Sequence, residues 1–368
     1  MPGRFRSVLS HVTKTALFWV GPLVLVSLVD AGAGPAGAAQ GAAAKQAAPS
    51  GTTRTRTAPA KSSTATSSAP RPPARSTRLA RARAAAAARA RDLALPHYRL
   101  DASGDLVPDL RAAAAIIYDP ETNEVLWEEN SQSQRSIASL TKMMTAAVVL
   151  ESDPDLTQAV TVIRPDVYRA STTKLRSGDR VTTDDLLHLL LIGSDNAAAR
   201  ALARVSPYGS QGFVRRMNEK AAELGLENTR YTEPSGLLSG NLSSAYDMAR
   251  LIAMASSDER IGSIMRTPQY TIRTAKRRLI SVHTTNQLLG RPDVDVRAGK
   301  TGFITSSGYC LATLLRLPQG GQEVAVVVLG ARSNAGRFVE TRNLFTWMST
   351  KVSVLFGAEP PLAPQLLQ

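Results

Sequence analysis

Short apolar runs near the two ends of the folded part of the sequence enclose a central stretch with helical spacing. Residues 113–118 and 124–127 favour β-strands, and the turn signal at 119–123 between them predicts a hairpin. After residue 266 the strand-like pattern returns. The strands predicted there cover 270–272, 279–282, 297–303, 309–315 and 323–329.

The central stretch contains longer apolar runs built mostly of good helix formers. The predicted helices cover 137–150, 186–192, 197–205, 213–224 and 248–254, and a last one covers 337–355. Strands early and late with helices between them predict an α+β fold. In this fold, the first hairpin joins the C-terminal strands in one antiparallel sheet, which is flanked by helices and carries an inserted all-helical lobe.

The first 39 residues have the layout of a signal peptide. A basic start precedes an apolar block at 16–29, and small residues follow it, so cleavage is predicted near Ala33 or Ala39. The block is short for a membrane span and contains Pro22, so an uncleaved signal segment is the only membrane association predicted. Cys310 is the only cysteine, which excludes an intrachain disulfide. An exported protein of this kind fits the periplasm of a bacterial envelope.

The net charge of +14 resembles that of a nucleic-acid-binding protein, but its location argues against one. The first 91 residues hold 14 of the 44 basic residues and one acidic residue, which leaves 30 basic and 29 acidic residues in the rest. No nucleic-acid partner is therefore predicted. Residues 40–104 are rich in Ala, Pro and Arg, so we expect a disordered basic tether, in which 81–91 could be transiently helical. A folded domain is predicted at 105–357, followed by a short tail at 358–368.

A serine and a lysine lie three residues apart at the start of the predicted helix 137–150. Positions three apart share one helix face, so the Lys142 amine can reach the Ser139 hydroxyl. A serine with a base beside it is a candidate nucleophile. A second S-x-x-K copy, from Ser171 to Lys174, lies among charged residues with no apolar run to bury it. This copy is predicted to be a solvated loop or a strand end.

Two further polar triplets follow in the chain. Residues 194–196 read Ser-Asp-Asn between two predicted buried helices, where unpaired polar groups would be costly unless they face a site. Residues 300–302 read Lys-Thr-Gly, and Val294 replaces the glycine that a phosphate-binding loop would need. Another Ser-x-Asn match at 239–241 is predicted to serve a turn.

The three motifs, in this order, resemble the active-site serine penicillin-recognising enzymes, which include DD-peptidases and serine β-lactamases. Within that group, segments 230–237, 300–303 and 307–311 are similar to the D-alanyl-D-alanine carboxypeptidase family, especially its endopeptidase-type members of low molecular mass. The resemblance covers about 105–350. It implies a DD-peptidase/β-lactamase-like fold, peptidoglycan stem peptides as substrates and β-lactams as covalent inhibitors. It implies no cofactor.

The resemblance also implies roles for individual residues. Ser139 would attack as the nucleophile, a neutral Lys142 would take its proton, and Ser194 would pass a proton to the leaving amine. Burial and a like charge at Lys300 would lower the pKa of Lys142. The main-chain N–H groups of Ser139 and Phe303 would hold the oxyanion. The implied substrate-binding residues are Asn196, Lys300, Thr301, Gly302, Phe303 and Arg337.

Some alternatives stay open at this point. Arg337 matches an arginine near the substrate's terminal carboxylate in carboxypeptidases, or it is only an exposed cation at a helix start. The short C-terminal tail favours the endopeptidase type. A serine β-lactamase is disfavoured because no E-x-x-L-N segment is present, and a non-catalytic wall-binding protein is disfavoured by the intact motifs. The four histidines and Cys310 lack the spacing of a triad or a metal site, so no metal is predicted.

Overall fold

The structure is a computed structural model that describes residues 74–318 and 321–355. The predicted signal peptide, the start of the predicted tether and the predicted C-terminal tail lie outside these residues. The helices are α1 Ala74–Ala94, α2 Thr141–Glu151, α3 Arg164–Val167, α4 Thr183–Leu191, α5 Asn196–Val205, α6 Gly209–Glu223, α7 Ala245–Ser257, α8 Glu259–Met265 and α9 Asn334–Leu355. The strands are β1 Tyr98–Leu100, β2 Leu106–Pro108, β3 Ala114–Asp119, β4 Glu124–Glu129, β5 Arg135–Ser136, β6 Ala159–Thr161, β7 Arg180–Thr182, β8 Leu242–Ser243, β9 Gln269–Arg273, β10 Leu279–His283, β11 Asp295–Ile304, β12 Gly308–Arg316 and β13 Glu323–Ala331.

One antiparallel five-stranded sheet organises the molecule, with the strand order β11-β12-β13-β3-β4. The N-terminal hairpin β3–β4 joins the C-terminal strands through β13, where Ala325 pairs with Tyr118. The predicted α+β fold and the union of early and late strands are thus confirmed. Strand β11 lies at an edge of this sheet, so one side of it is free to meet other groups.

Both faces of the sheet are covered, which explains why its inner strands β3, β12 and β13 are apolar at most positions. Along β3, Ile116 and Tyr118 belong to the core shared with the helical lobe, and Ile117 belongs to the core shared with α9. Phe338 and Phe345 are the buried aromatic residues that α9 contributes to that second core. Successive side chains of a strand point to opposite faces, so a sheet packed on both sides needs apolar residues at odd and even positions alike.

The helical lobe is built around α2, in which every residue from Thr141 to Leu150 is buried. Helix α4 begins with a reciprocal cap in which the Thr182 hydroxyl accepts from the Asp185 N–H and the Asp185 carboxylate accepts from the Thr182 N–H. Helix α5 is capped by Asp195, whose carboxylate accepts from the main-chain N–H groups of Ala197 and Ala198.

Two regions differ from the sequence predictions. Strands β9 and β10 pair with each other in a separate two-stranded sheet and do not join the main sheet. In the segment predicted to be a disordered tether with a possible transient helix at 81–91, α1 forms a longer helix, and β1 pairs with β2. Ala and Arg are strong helix formers, but the described side chains 77–88 of α1 are all exposed, so no apolar stripe could signal this helix. Within the described ranges, no helix is both long and apolar enough to cross a membrane.

Candidate active site

Ser139 lies in a short 3-10 turn, Ala138–Leu140, that leads directly into α2. The preceding residue, Ala138, has a φ of 47°, in the left-handed region that non-glycine residues rarely adopt. Lys142, in the first turn of α2, is completely buried, whereas Ser139 is half-buried. The Lys142 Nζ atom lies 2.9 Å from the Ser139 Oγ atom, within hydrogen-bond distance.

Lys142 has two further oxygen partners, the Asn196 Oδ1 atom at 2.6 Å and the Ser235 carbonyl. A neutral amine has two N–H groups for these oxygens and one lone pair left for the proton of the Ser139 hydroxyl. Burial lowers the pKa of Lys142 to about 7, against the opposing influence of the carboxylates of Glu233 and Asp195. The amine can therefore be neutral near physiological pH.

A second lysine and serine pair lies nearby. The Lys300 Nζ atom donates to the Ser194 Oγ atom at 2.8 Å and to the Thr301 carbonyl at 2.9 Å. Lys300 is 1% exposed, and burial, followed by the positive charges of Lys142 and Arg337, holds its pKa well below the ordinary value. Ser194 has a φ of 57°, so its own backbone is in the left-handed region, whereas in the Ser139 turn the residue in that region is Ala138.

The edge strand β11 passes close to the Ser139 turn at Gly302. A Cβ atom at this position would lie 2.8 Å from the Ile137 carbonyl oxygen and 3.2 Å from the Ser139 nitrogen, so only glycine allows the approach. The neighbouring Phe303 is 49% exposed, and its ring stacks on Tyr309 with centroids 4.2 Å apart.

Thr301, also on β11, has a partner that sequence reasoning missed. Its hydroxyl lies 2.6 Å from the hydroxyl of Thr285, in the loop after β10. No motif includes Thr285, because the contact depends on how β10 leads the chain back towards β11. The contact positions the Thr301 hydroxyl on the strand next to Lys300.

Arg337 lies buried near the start of α9. It is 7% exposed, so the interpretation as an exposed helix-start cation is wrong. Its Nη1 atom donates to the carbonyls of Gly302 and Cys310 at 2.9 and 3.1 Å, and Nη2 donates to Asn334. Since the C=O and N–H of a trans peptide point in opposite directions, the bond to Gly302 helps to orient the N–H of Phe303. Burial lowers the pKa of Arg337 to about 10.

The second S-x-x-K segment is a loop, as predicted, but it is not remote from the site. Asn196 donates from its Nδ2 atom to the Ala170 carbonyl at 2.7 Å and from its main-chain N–H to the Thr172 carbonyl at 2.9 Å. The Asp195 carboxylate accepts from the Thr173 hydroxyl and from the main-chain N–H of Lys174, both at 2.9 Å. This loop therefore holds the Ser-Asp-Asn triplet in place, a role that its own sequence did not signal.

A tight turn at 233–237 completes the environment of Lys142. The Glu233 carboxylate accepts from the N–H groups of Ser235 and Leu237 at 2.7 and 2.8 Å, which fixes the turn. Gly236 has a φ of 78°, and a Cβ atom there would lie 2.0 Å from the Ala138 carbonyl oxygen. The Pro-Ser-Gly sequence indicates such a turn, but only the fold shows that it supplies the Ser235 carbonyl to Lys142.

The remaining polar candidates have structural contacts. His188 stacks on Tyr270 with ring centroids 3.9 Å apart, and Cys310 is fully buried. Asn241, in the other Ser-x-Asn match, is fully buried and donates to the Thr141 hydroxyl at 3.0 Å. Among residues 74–318 and 321–355, no group of three or more His, Cys, Asp or Glu side chains could hold a metal ion.

Comparisons with known proteins agree with this geometry. A profile of the family described as D-alanyl-D-alanine carboxypeptidase matches residues 102–333. The D-alanyl-D-alanine endopeptidase of Pseudomonas aeruginosa is 33% identical over 248 residues, which span 67% of this chain and 79% of that protein. The D-alanyl-D-alanine endopeptidase of Escherichia coli is 32% identical over 254 residues, which span 66% and 79%.

A solved structure shows the same fold. The crystal structure of the Streptomyces K15 DD-transpeptidase is similar with a TM-score of 0.61 and 27% identity, and the match covers 65% of this chain and 97% of that one. The family profile covers well over half of the residues of this chain. The resemblance inferred from the three motifs is confirmed, and the chain belongs to the D-alanyl-D-alanine carboxypeptidase family.

Proposed function

We propose that this chain is a serine-type D-alanyl-D-alanine peptidase that cleaves peptidoglycan stem peptides through an acyl-enzyme on Ser139. The observation that carries the proposal is the contact between Ser139 and a fully buried Lys142 whose pKa is lowered to about 7. Membership of the family and the similarity to two D-alanyl-D-alanine endopeptidases support the same activity.

Acylation begins when the Ser139 Oγ atom attacks the carbonyl carbon between two D-configured residues. The neutral Lys142 accepts the Ser139 proton through its lone pair, while its N–H groups keep their bonds to Asn196 and Ser235. The attack places negative charge on the carbonyl oxygen, and we assign the N–H groups of Ser139 and Phe303 to stabilise it. The bond from Arg337 to the Gly302 carbonyl supports this role by orienting the shared peptide unit.

The leaving amine needs a proton as the peptide bond breaks. We assign Ser194 to deliver it, because its hydroxyl is hydrogen-bonded to Lys300 at 2.8 Å and Lys300 lies close enough to Lys142 for the charge of Lys142 to lower its pKa. Water then attacks the ester on Ser139 by the same steps in reverse order, which releases the shortened peptide. Thr301 and the edge of β11 are assigned to dock the substrate backbone, as a strand edge can pair with an extended peptide.

The same catalytic residues can cleave two kinds of stem-peptide substrate. Removal of a terminal D-alanine from a monomeric stem peptide is carboxypeptidase activity, and cleavage of a cross-link between two stem peptides is endopeptidase activity. The two endopeptidase relatives favour cross-linked dimers as substrates of this chain. In our proposal, β-lactams acylate Ser139 because their strained amide occupies the place of the D-alanyl-D-alanine bond. The alternative of a serine β-lactamase is not favoured.

Product analysis tests the proposal. The purified protein would be incubated with pentapeptide monomers and with cross-linked dimers of peptidoglycan fragments, and the products identified by mass spectrometry. Conversion of dimers to monomers is the expected result, with or without loss of D-alanine from pentapeptides. If neither product formed while penicillin still labelled Ser139, the substrate assignment would be wrong.

We also propose that the protein is exported to the bacterial envelope and works in the periplasm. The basic start and apolar block of residues 1–39 support export, and so does the location of the peptidoglycan substrate outside the cytoplasm. Cell fractionation with an antibody against the catalytic domain tests this, since recovery from the cytoplasm alone would contradict it.

A further inference from the structure

A strongly basic surface lies beside the active site and has no assigned role. It consists of exposed side chains on the loop that ends in β7 and on the β9–β10 hairpin, and we call it the basic rim. Its members are Arg169, Lys174, Arg176, Arg180, Arg273, Lys276 and Arg277.

Hydrogen bonds join the two parts of the basic rim into one continuous surface. The Ala275 N–H donates to the Arg180 carbonyl at 3.1 Å, and the Lys174 ammonium donates to the Ser281 carbonyl of β10. Arg278 lies between the two parts and is paired with Asp179, the one acidic side chain within this pair of segments. The surrounding cations are therefore held close together by the fold.

Among the described residues, the cations of the basic rim lack counter-ions, unlike those of α6. On α6, Arg216 is paired with Glu151 and Glu223, and Lys220 with Glu151. Among the described residues, none of the seven cations of the rim has a carboxylate partner. A group of like charges without partners is costly to hold together, so it marks a surface suited to an anionic ligand.

The rim is physically continuous with the catalytic residues. In the loop of the rim, the Ala170 carbonyl accepts from the Asn196 side chain, and the Lys174 N–H donates to the Asp195 carboxylate. Its hairpin continues into Thr285, whose hydroxyl contacts Thr301 at 2.6 Å. A polymer that enters the site along β11 would therefore meet this surface next.

We propose that the basic rim binds the carboxylates of peptidoglycan stem peptides beyond the one being cleaved, so that the enzyme prefers the intact polymer to small soluble fragments. This inference rests on the proposed function, since it extends the binding of the same substrate. Stem peptides carry free carboxylates and recur along each glycan strand. A single exposed ion pair contributes little, but several simultaneous contacts strengthen binding together, and salt weakens them.

A charge-reversal variant tests the proposal. The triple variant Arg273→Glu/Lys276→Glu/Arg277→Glu changes the hairpin part of the rim. Among the described residues, no hydrogen bond or ion pair joins these three side chains to the catalytic side chains. The matched control, Arg78→Glu/Arg81→Glu/Arg83→Glu, makes the same change in charge on α1, where these side chains are exposed. Acylation of Ser139 by a fluorescent penicillin reports whether each protein is folded and reactive.

Binding is measured by co-sedimentation with purified sacculi from which phosphate-containing polymers have been removed. We expect the wild type and the α1 control to sediment alike at low salt, and the hairpin variant to bind about tenfold more weakly. Neutralising the sacculus carboxylates by amidation, or raising the salt concentration to about 0.5 M, should remove the difference. Hydrolysis of a small soluble dimer should be unchanged in all three proteins.

Three results would overturn the inference: equal sedimentation of the hairpin variant and the wild type, wild-type binding that is insensitive to amidation, or binding only to sacculi that keep their phosphate polymers. If the Glu variant did not react with penicillin, Arg273→Gln/Lys276→Gln/Arg277→Gln would replace it. A wild type that bound sacculi through the rim but cleaved no stem peptide would instead contradict the proposed function.

Discussion

The two S-x-x-K segments of this chain share a sequence pattern but have different structures. In the first, Ser139 and Lys142 lie at the start of a buried helix, and the amine and hydroxyl are 2.9 Å apart. In the second, Ser171 and Lys174 belong to an exposed loop, and the Lys174 ammonium donates to the Ser281 carbonyl instead of to its own serine.

The difference shows that spacing produces reactivity only in a helical, buried setting. A helix brings positions three apart onto one face, whereas an extended loop separates them. Burial then lowers the pKa of Lys142 to about 7, which an exposed lysine would not experience. The second segment contributes through its main chain, which holds Asp195 and Asn196.

The largest expected effect comes from removing the two serines in turn. Ser139→Ala should abolish covalent labelling by penicillin and reduce peptide hydrolysis by at least about 10³-fold, because the nucleophile is lost. Ser171→Ala should retain activity within about threefold, since Ser171 makes only a 3.3 Å contact with Asn196. If the acylation rate fell by a similar factor in both variants, the two segments would not differ in function as we infer.

The two lysines should differ almost as strongly. Lys142→Ala removes the base and should slow acylation by about 10²- to 10³-fold. Lys142→Arg should not restore the rate, because a guanidinium remains charged and cannot accept the proton. Lys174→Ala is the matched control and should acylate with penicillin like the wild type. Stopped-flow measurement of penicillin acylation provides these rates, and an active Lys142→Arg protein would contradict the assigned role.

The turn at Gly236 packs closely against the first S-x-x-K segment. The importance of this close approach can be tested by adding one methyl group. Gly236→Ala should slow acylation by about 10²-fold, because the new Cβ atom would collide with the Ala138 carbonyl and displace Ser139. Gly290 has a similar φ, 82°, but open space around it. Gly290→Ala is therefore the control for backbone strain alone, and equal acylation rates in the two variants would show that the close approach is unimportant.

The acylation rate should rise with pH, whereas a mechanism that needs a protonated lysine predicts a rate that falls. Lys142 acts only when neutral, and its pKa is lowered to about 7. The rate should therefore rise about tenfold between pH 6 and 8 and level off above that. A rate that fell over this range would show that the protonated amine is the active form. The Lys174→Ala variant should give the same profile.

Much of the fold could be predicted because the apolar periodicities are strong. Runs of apolar residues predict the hairpin β3–β4, the late strands and helices α2, α4, α5, α6, α7 and α9. Helix α1 could not be found in this way because its described side chains are all exposed. The separation of β9–β10 from the main sheet also left no mark in the sequence, since strand propensity does not specify a partner.

Part of the candidate site could likewise be recognised in advance. The motifs at 139–142, 194–196 and 300–302 identified the groups that the fold brings together. The location of Arg337 could not be recognised in advance, because an arginine at a helix start can be exposed or buried. Its contacts with the Gly302 and Cys310 carbonyls depend on the packing of α9 against the sheet.

The sequence by itself determined the family, the α+β class and the chemical groups of the site, because local periodicity and short motifs encode these directly. Only the tertiary structure decided that Arg337 is buried, which carbonyl completes the environment of Lys142 and which loop supports Asn196. These features depend on contacts between residues far apart in the chain, such as Lys142 with Ser235 and Asn196 with Ala170. Desolvation and hydrogen bonding act through such distant neighbours, so reactivity is a property of the folded chain.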